Sequence, residues 1–260
     1  MANIIGTKGN DTLVGSDLAD TINGLAGNDT ITVSQGNNLL SGGDGSDDLF
    51  AFGDYSAERS ISFGNPISGN NTLNGGAGDD NLNASYSTGN NTLNGDAGDD
   101  RLDVDFSTGN NLLSGGDGND GLLVSGLFAY SGSFERYYGS GNNTLNGGAG
   151  NDYLDASYTT GNNILNAGTG DDNLYIGNAE GNNLLSGGDG NDSFDVGVGI
   201  EDGYTPPSSL VTQTVRMGVK VMICCPSVTG VLPKESLRHS MLLLTLDQLR
   251  AARIELITRI

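Results

Sequence analysis

Nine times along this chain of 260 residues an aspartate stands sixth in a glycine-framed block: Asp11, Asp29, Asp47, Asp80, Asp100, Asp120, Asp152, Asp172 and Asp192. The blocks read, for example, GGAGDDNLN (75–83), GGDGNDGLL (115–123) and GGDGNDSFD (187–195), to the template Gly-Gly-x-Gly-x-Asp-x-apolar-x. If such turns stack as neighbouring strands do, each carboxylate lies ~4.8 Å from its copies and repels them. A cation between the turns removes that repulsion. Glycine turns also expose backbone carbonyls, and the repeats hold neither His nor Cys, so the donors on offer are oxygens. That disfavours zinc and copper. An irregular cage of ~6–8 oxygens suits calcium better than magnesium. A solvated acidic face is the plain alternative for charge-rich stretches, but solvation does not require one fixed position in a glycine frame.

The spacing around the aspartates says what must hold them. The first fifty residues divide into nonapeptides, GTKGNDTLV (6–14) through GGDGSDDLF (42–50). Beyond them, acidic blocks alternate with eleven-residue blocks ending in GNNTLN, GNNLLS or GNNILN, and one of each makes a 20-residue unit. The last three positions of a block, such as Thr-Leu-Asn, alternate polar and apolar as a very short strand does. The glycines tolerate positive φ and close backbone approach, so they form the turns. Stacked coils then give an all-β roll with two parallel sheets facing each other. One side of its core is the column Leu13, Ile31, Leu49, Leu82, Leu102, Leu122, Leu154, Leu174 and Phe194. The other is Ile22, Leu40, Leu73, Leu93, Leu113, Leu145, Leu165 and Leu185. At ~1.5–3 kcal/mol per buried side chain, so thin a core needs its turns held by something else.

The nonapeptide resembles the RTX, or haemolysin-type, calcium-binding repeat over about residues 6–195. That resemblance implies a right-handed parallel β-roll, a β-solenoid with ~20-residue coils. Each Ca2+ would be shared by Asp side chains and turn carbonyls of neighbouring coils on one side. The ligand role passes to the nine aspartates, with the carbonyls of Gly43, Gly45, Gly76, Gly78, Gly116, Gly118, Gly148, Gly150, Gly188 and Gly190 as their partners. Secretion to the extracellular space or cell surface, through a C-terminal type I signal, is implied as well. The chain departs from the family on its second side, which reads Gly-Asn-Asn. Asn38, Asn71, Asn91, Asn111, Asn143, Asn163 and Asn183 stand there in place of aspartate. An amide is a poorer calcium ligand, but stacked amides hydrogen-bond along a ladder. Several calcium ions are therefore expected down one edge and an asparagine ladder down the other. The added pairs Ala84-Ser85, Val104-Asp105, Ala156-Ser157 and Ile176-Gly177 are expected to widen the asparagine turn. The block 15–23, with Leu18 where glycine is needed, is expected to bind weakly.

Charge narrows the partners. With 32 acids against 11 bases the net charge is −21, which excludes nucleic acid and an anionic membrane surface. No apolar run reaches the ~20 residues of a membrane helix, and MANIIGTKGND turns polar too early for a signal peptide. Repeats without His or Cys offer no Ser/His/Asp or Cys/His set, so an enzyme is not expected. Longer blocks interrupt the roll at 51–68 and 124–140, both aromatic, one holding Glu58-Arg59 and the other Glu135-Arg136. Loops on a rigid scaffold suit a protein or carbohydrate partner; loops that cover their own aromatics are the alternative. The repeat region is expected to span 1–204, leaving 205–260 as a non-repeat tail. That tail holds seven of the 11 bases, both cysteines and the single histidine. It reads as a secretion signal, as a segment with an amphipathic helix over 236–260, or as sequence out of its ancestral frame. Read in the frame that starts at the third base of Met217, its codons allow GGEGDDLLSVSY, one more acidic block. A calcium-binding repeat protein is the expected function. The alternatives are the repeat part of a larger secreted toxin or enzyme, and an adhesin or ice-binding surface that uses the asparagine ladder with Thr72, Thr92 and Thr144.

Overall fold

A computed structural model describes residues 1–51, 68–126, 138–195, 213–216 and 220–224, all within one compact unit, Met1–Ser227. The strands are β1 (Asn3–Ile5), β2 (Thr12–Val14), β3 (Thr21–Ala26), β4 (Thr30–Val33), β5 (Leu39–Asp44) and β6 (Asp48–Ala51). There follow β7 (Thr72–Ala77), β8 (Asn81–Asn83), β9 (Thr92–Ala97), β10 (Arg101–Asp103), β11 (Leu112–Asp117) and β12 (Gly121–Leu123). The chain goes on with β13 (Thr144–Ala149), β14 (Tyr153–Asp155), β15 (Ile164–Thr169), β16 (Asn173–Tyr175), β17 (Asn182–Asp189) and β18 (Asn191–Asp195). Last come β19 (Gln213–Arg216) and β20 (Lys220–Cys224).

From β1 to β17 the odd strands form one parallel sheet and from β2 to β18 the even strands form a second. The fold is an all-β parallel solenoid of about eight turns with ~20-residue coils. Among the described residues there is no helix. Partners one coil apart lie 18, 20, 32 or 33 residues apart in sequence, as between Asp29 and Asp47, Asp80 and Asp100, Asp120 and Asp152, and Asp47 and Asp80. The two large steps carry the insertions, and the ladder resumes in register after each, Leu40 opposite Leu73 and Leu113 opposite Leu145. Most of each insertion, 52–67 of 51–68 and 127–137 of 124–140, lies outside the described residues, and so does the helix expected over 236–260. Part of the tail is strand: β20 pairs antiparallel with β17, and β19 with β18.

The even strands have the short form the alternation predicts. The odd strands of the middle coils are six residues, because hydrogen bonding continues through the glycine pair that was expected to be turn. The ladder skips the first glycine of that pair and resumes at the second, Gly76 opposite Gly43. The expected core column is buried, with Leu13 at its open end only partly covered. A second inward column joins it. Val33, Ala51, Ala84, Val104, Val124, Ala156 and Ile176 are all buried. The added residues of the asparagine blocks therefore pack the wide turn as well as lengthen it. Tyr86, Phe106, Tyr158 and Asn178 follow at φ 55–59°, reversing the chain there, and the Tyr86 and Phe106 rings stack 4.9 Å apart.

Leu113 and its neighbour Leu112 separate core from surface. Leu113 is fully buried between Leu93 and Leu145, whereas Leu112 is 40 % exposed on the outer face. Leu113→Ala should lower the unfolding free energy by about 3 kcal/mol and Leu112→Ala by less than ~1 kcal/mol, as read from urea unfolding followed by circular dichroism.

Candidate metal centre

Each acidic turn is framed by glycines for separate reasons. The first glycine leaves room for the carboxylate: a Cβ on Gly42, Gly75, Gly95, Gly115, Gly147 or Gly187 would fall on Oδ2 of that block's aspartate. Ala167 takes this place in one coil and is fully buried. The glycines at the second and fourth positions have positive φ, between 111° and 140° at Gly43, Gly45, Gly76, Gly78, Gly116, Gly118, Gly148, Gly150, Gly188 and Gly190. They are also approached by the coil before them. The carbonyl of Gly43 faces Gly76, that of Gly45 faces Gly78, that of Gly116 faces Gly148 and that of Gly118 faces Gly150, each where a Cβ would stand. Turn carbonyls are thus aligned down the edge. Leu25 and Asp96 hold the second position at φ 88° and 78°, a region that L-residues with a Cβ rarely enter.

The aspartates form an unbroken column inside these turns. Oδ1 of each accepts the backbone N–H of the aspartate one coil earlier, from the Asp11–Asp29 step to the Asp172–Asp192 step, at 2.7–3.2 Å. From Asp29 to Asp192 these residues are at most 3 % exposed. Oδ2 has no such partner. In Asp29, Asp47, Asp80, Asp100, Asp120, Asp152 and Asp172 it is buried without a hydrogen bond. Burial pushes the carboxyls of Asp80, Asp100 and Asp152 up to about 7 and those of Asp47, Asp120 and Asp172 up to about 6. Asp192 moves the same way. The backbone N–H on Oδ1 offsets part of the rise, and neighbouring acids add to it. Two ionised carboxylates a strand spacing apart repel by about 3 kcal/mol at an effective dielectric of about 20. Summed along the column this is on the order of 20 kcal/mol, more than the ~5–15 kcal/mol net stability of a typical domain.

The opposite edge shows what the orphaned atom lacks. There the ladder is Asn38, Asn71, Asn91, Asn111, Asn143, Asn163 and Asn183. Each Oδ1 from Asn71 onward accepts the backbone N–H of the previous rung at 2.8–3.2 Å, as on the acidic edge. The atom that corresponds to the aspartate Oδ2 is Nδ2, a donor. It bonds the next Oδ1 at 2.9–3.1 Å. It also reaches the carbonyl of the glycine two residues before it, as Asn91 does with Gly89 at 3.2 Å and Asn111 with Gly109 at 3.0 Å. On the acidic edge the corresponding carbonyls belong to Gly45, Gly78, Gly118 and Gly150, and Oδ2 is an acceptor like them. Two acceptors with no donor between them call for a cation or a proton. Among the described residues no three Asp, Glu, His or Cys side chains converge on one point. A cation here must therefore draw on backbone carbonyls, which the glycine turns supply. The donor set fits a hard, oxygen-seeking ion.

Two turns solve the problem differently, and the spacing of aspartates alone does not reveal it. Oδ2 of Asp11 accepts the Thr7 N–H at 2.5 Å and the Thr7 hydroxyl at 2.9 Å. Oδ2 of Asp20 accepts the Ser16 N–H at 2.5 Å and the Ser16 hydroxyl at 2.8 Å. Both hydroxyl residues stand second in the block, where glycine is usual, and that substitution was the available signal. Asp20 lies at the head of the asparagine column, its N–H donating to Asn38 Oδ1 at 2.9 Å. The first asparagine of each Gly-Asn-Asn was also unread. Asn37, Asn70, Asn90, Asn110, Asn142 and Asn162 form an exposed ladder in the reverse sense, each Oδ1 accepting the N–H of the following coil at 2.6–2.8 Å.

A model of the RTX calcium-binding nonapeptide repeat matches residues 3–31, 14–49, 68–85, 87–106, 107–123, 137–157, 158–178 and 179–200, well over half of the chain. No curated protein matches the chain.

The raised carboxyl values set a pH dependence for the metal-free protein. Their folded-state values lie above the unfolded value of about 3.9, so the folded state holds the extra protons. The stabilisation is fully present below about pH 4 and is lost as pH rises through about 6–7. In chelator, the urea midpoint should be higher at pH 4.5 than at pH 7.5; a midpoint that rises with pH would contradict a column of orphaned carboxylates.

Proposed function

The chain belongs to the RTX calcium-binding nonapeptide repeat family, and on that premise we propose that it is an extracellular roll whose acidic edge closes around calcium. The observation that carries this reading is the row of seven buried Oδ2 atoms with no hydrogen bond. Asp29, Asp47, Asp80, Asp100, Asp120, Asp152 and Asp172 would hold the ions, with Asp192 at the end of the row. The carbonyls of Gly43, Gly45, Gly76, Gly78, Gly116, Gly118, Gly148 and Gly150 serve as partners, and Gly188 and Gly190 complete the set in the last coil. Asp11 contributes least, because Thr7 already satisfies it. Bound calcium supplies the positive charge that lets stacked carboxylates ionise together. The chain's own residues do the rest: glycines admit the carboxylates, and each Oδ1 fixes its rung to the coil before.

Extracellular calcium is where such a site works. Modules of this class bind at ~10⁻⁴–10⁻³ M, so calcium completes the fold after export, and cytosolic levels leave the acidic edge open. The role is structural rather than catalytic, since the family's repeats are calcium-binding elements and these repeats hold no His or Cys. No helix among the described residues is long and apolar enough to cross a membrane.

Equilibrium dialysis and denaturation test the reading together. Calcium at millimolar concentration should raise the urea midpoint at neutral pH, and magnesium should do so far less. Asp100→Asn with Asp120→Asn replaces two orphaned acceptors by donors. It should lower the number of calcium ions taken up and, in chelator, stabilise the roll by about 1–3 kcal/mol. A wild-type chain that takes up no calcium in dialysis sinks the reading.

A further inference from the structure

The two edges of each coil differ by the atom at one position, and that difference has a consequence for the metal-free chain. We propose that the asparagine edge is a calcium-independent spine, which sets the register of the coils while the acidic edge is still open. This rests on calcium being the ion of the acidic edge.

Every rung of the spine is satisfied from within the chain. Between consecutive asparagines two hydrogen bonds run to one Oδ1, one from the backbone N–H and one from Nδ2, as from Asn91 to Asn111 at 3.0 Å each. The second Nδ2 hydrogen goes to the turn. Asn91 donates to the Ser87 hydroxyl at 2.6 Å, Asn111 to the Ser107 hydroxyl at 2.8 Å and Asn163 to the Thr159 hydroxyl at 2.8 Å. These asparagines are at most 3 % exposed, so water does not compete for the bonds. The head of the spine is closed as well: Asp20 accepts from Ser16 and from the Ala2 N–H, and the terminal amine lies 3.7 Å from it. Outside the buried column, the exposed asparagines tie each coil to the next in the opposite sense. None of the bonds between the asparagine rungs involves a metal or an ionised group. On the acidic edge the exposed outer residues form a matching ladder, for example Asn119 N–H on Asp99 Oδ1 at 2.7 Å. The inner column there still leaves seven buried acceptors without a hydrogen bond. Without an ion, repulsion acts at that edge alone, and it can be relieved by parting the acidic turns while the asparagine turns stay stacked.

Amide exchange read residue by residue by NMR, on the full chain in chelator at neutral pH and again with millimolar calcium, tests this. In chelator the backbone N–H groups of Asn71, Asn91, Asn111, Asn143 and Asn163 should exchange at least about tenfold more slowly than those of Asp80, Asp100, Asp120 and Asp152. Calcium should then protect both sets. Asn91→Asp with Asn111→Asp removes two pairs of Nδ2 donors, so it should abolish the slow exchange in chelator yet leave calcium uptake by the acidic edge intact. Equally fast exchange of both wild-type sets in chelator, with protection of both on adding calcium, overturns the spine and leaves the calcium reading standing. Protection of both sets in chelator with no response to calcium overturns the calcium reading itself, and the spine with it.

Discussion

A solenoid of near-identical coils sets every atom against its own copy, about one strand spacing away. A group that both donates and accepts can stack on itself indefinitely; one that only accepts cannot. The backbone amide belongs to the first kind, which is why the two sheets propagate without difficulty. The side-chain carboxamide of asparagine belongs to it too. The carboxylate of aspartate belongs to the second, and its Oδ1 is rescued only because a backbone N–H from the neighbouring rung reaches it. Its Oδ2 is left over. The rest of the molecule can be understood as arrangements that place this leftover atom, satisfy it, or avoid creating it.

Three solutions coexist in one chain. Asn38 and its successors avoid the problem by carrying nitrogen at the critical atom. Asp11 and Asp20 keep the carboxylate and bring a hydroxyl from Thr7 or Ser16. Asp29 to Asp172 keep it bare, inside a glycine frame whose carbonyls are aligned and whose first residue lacks the Cβ that would fill the space. A frame cleared of side chains around a buried anion is poor design for a turn that is meant to stay empty. It is what an ion with many oxygen ligands requires.

Much of this was legible because repetition converts sequence position into spatial position. Once the period was known, sixth-position aspartates had to lie in one column and the apolar residues in another. The 32- and 33-residue steps changed nothing, since an insertion at a turn does not alter the register of the strands that flank it. What escaped notice depended on atoms rather than positions. The burial of Ala84, Val104 and Ala156 follows from the direction the wide turn takes after its short strand, which the residues at φ 55–59° decide. The passage of hydrogen bonding through the glycine pair was hidden because glycine is a turn residue on average, yet here only its first member leaves the ladder. The outer asparagine column carries no apolar or charged signal of its own, yet its carboxamide oxygens accept from the following coil where the inner ones accept from the preceding coil.

The two edges also differ in how they respond to a change of length. Adding coils to an asparagine edge adds satisfied hydrogen bonds, each worth ~0.5–1.5 kcal/mol net, so stability grows with the stack. Adding coils to a bare acidic edge adds about 3 kcal/mol of repulsion per new neighbour if every carboxylate ionises. A roll with two acidic edges would therefore become less stable with each coil until ions arrived, because the amide bonds to Oδ1 would have to oppose that repulsion on both sides. A roll with two asparagine edges would need no ion and could not respond to one. Joining one of each lets the chain be long and in register on one side while its stability on the other depends on an ion.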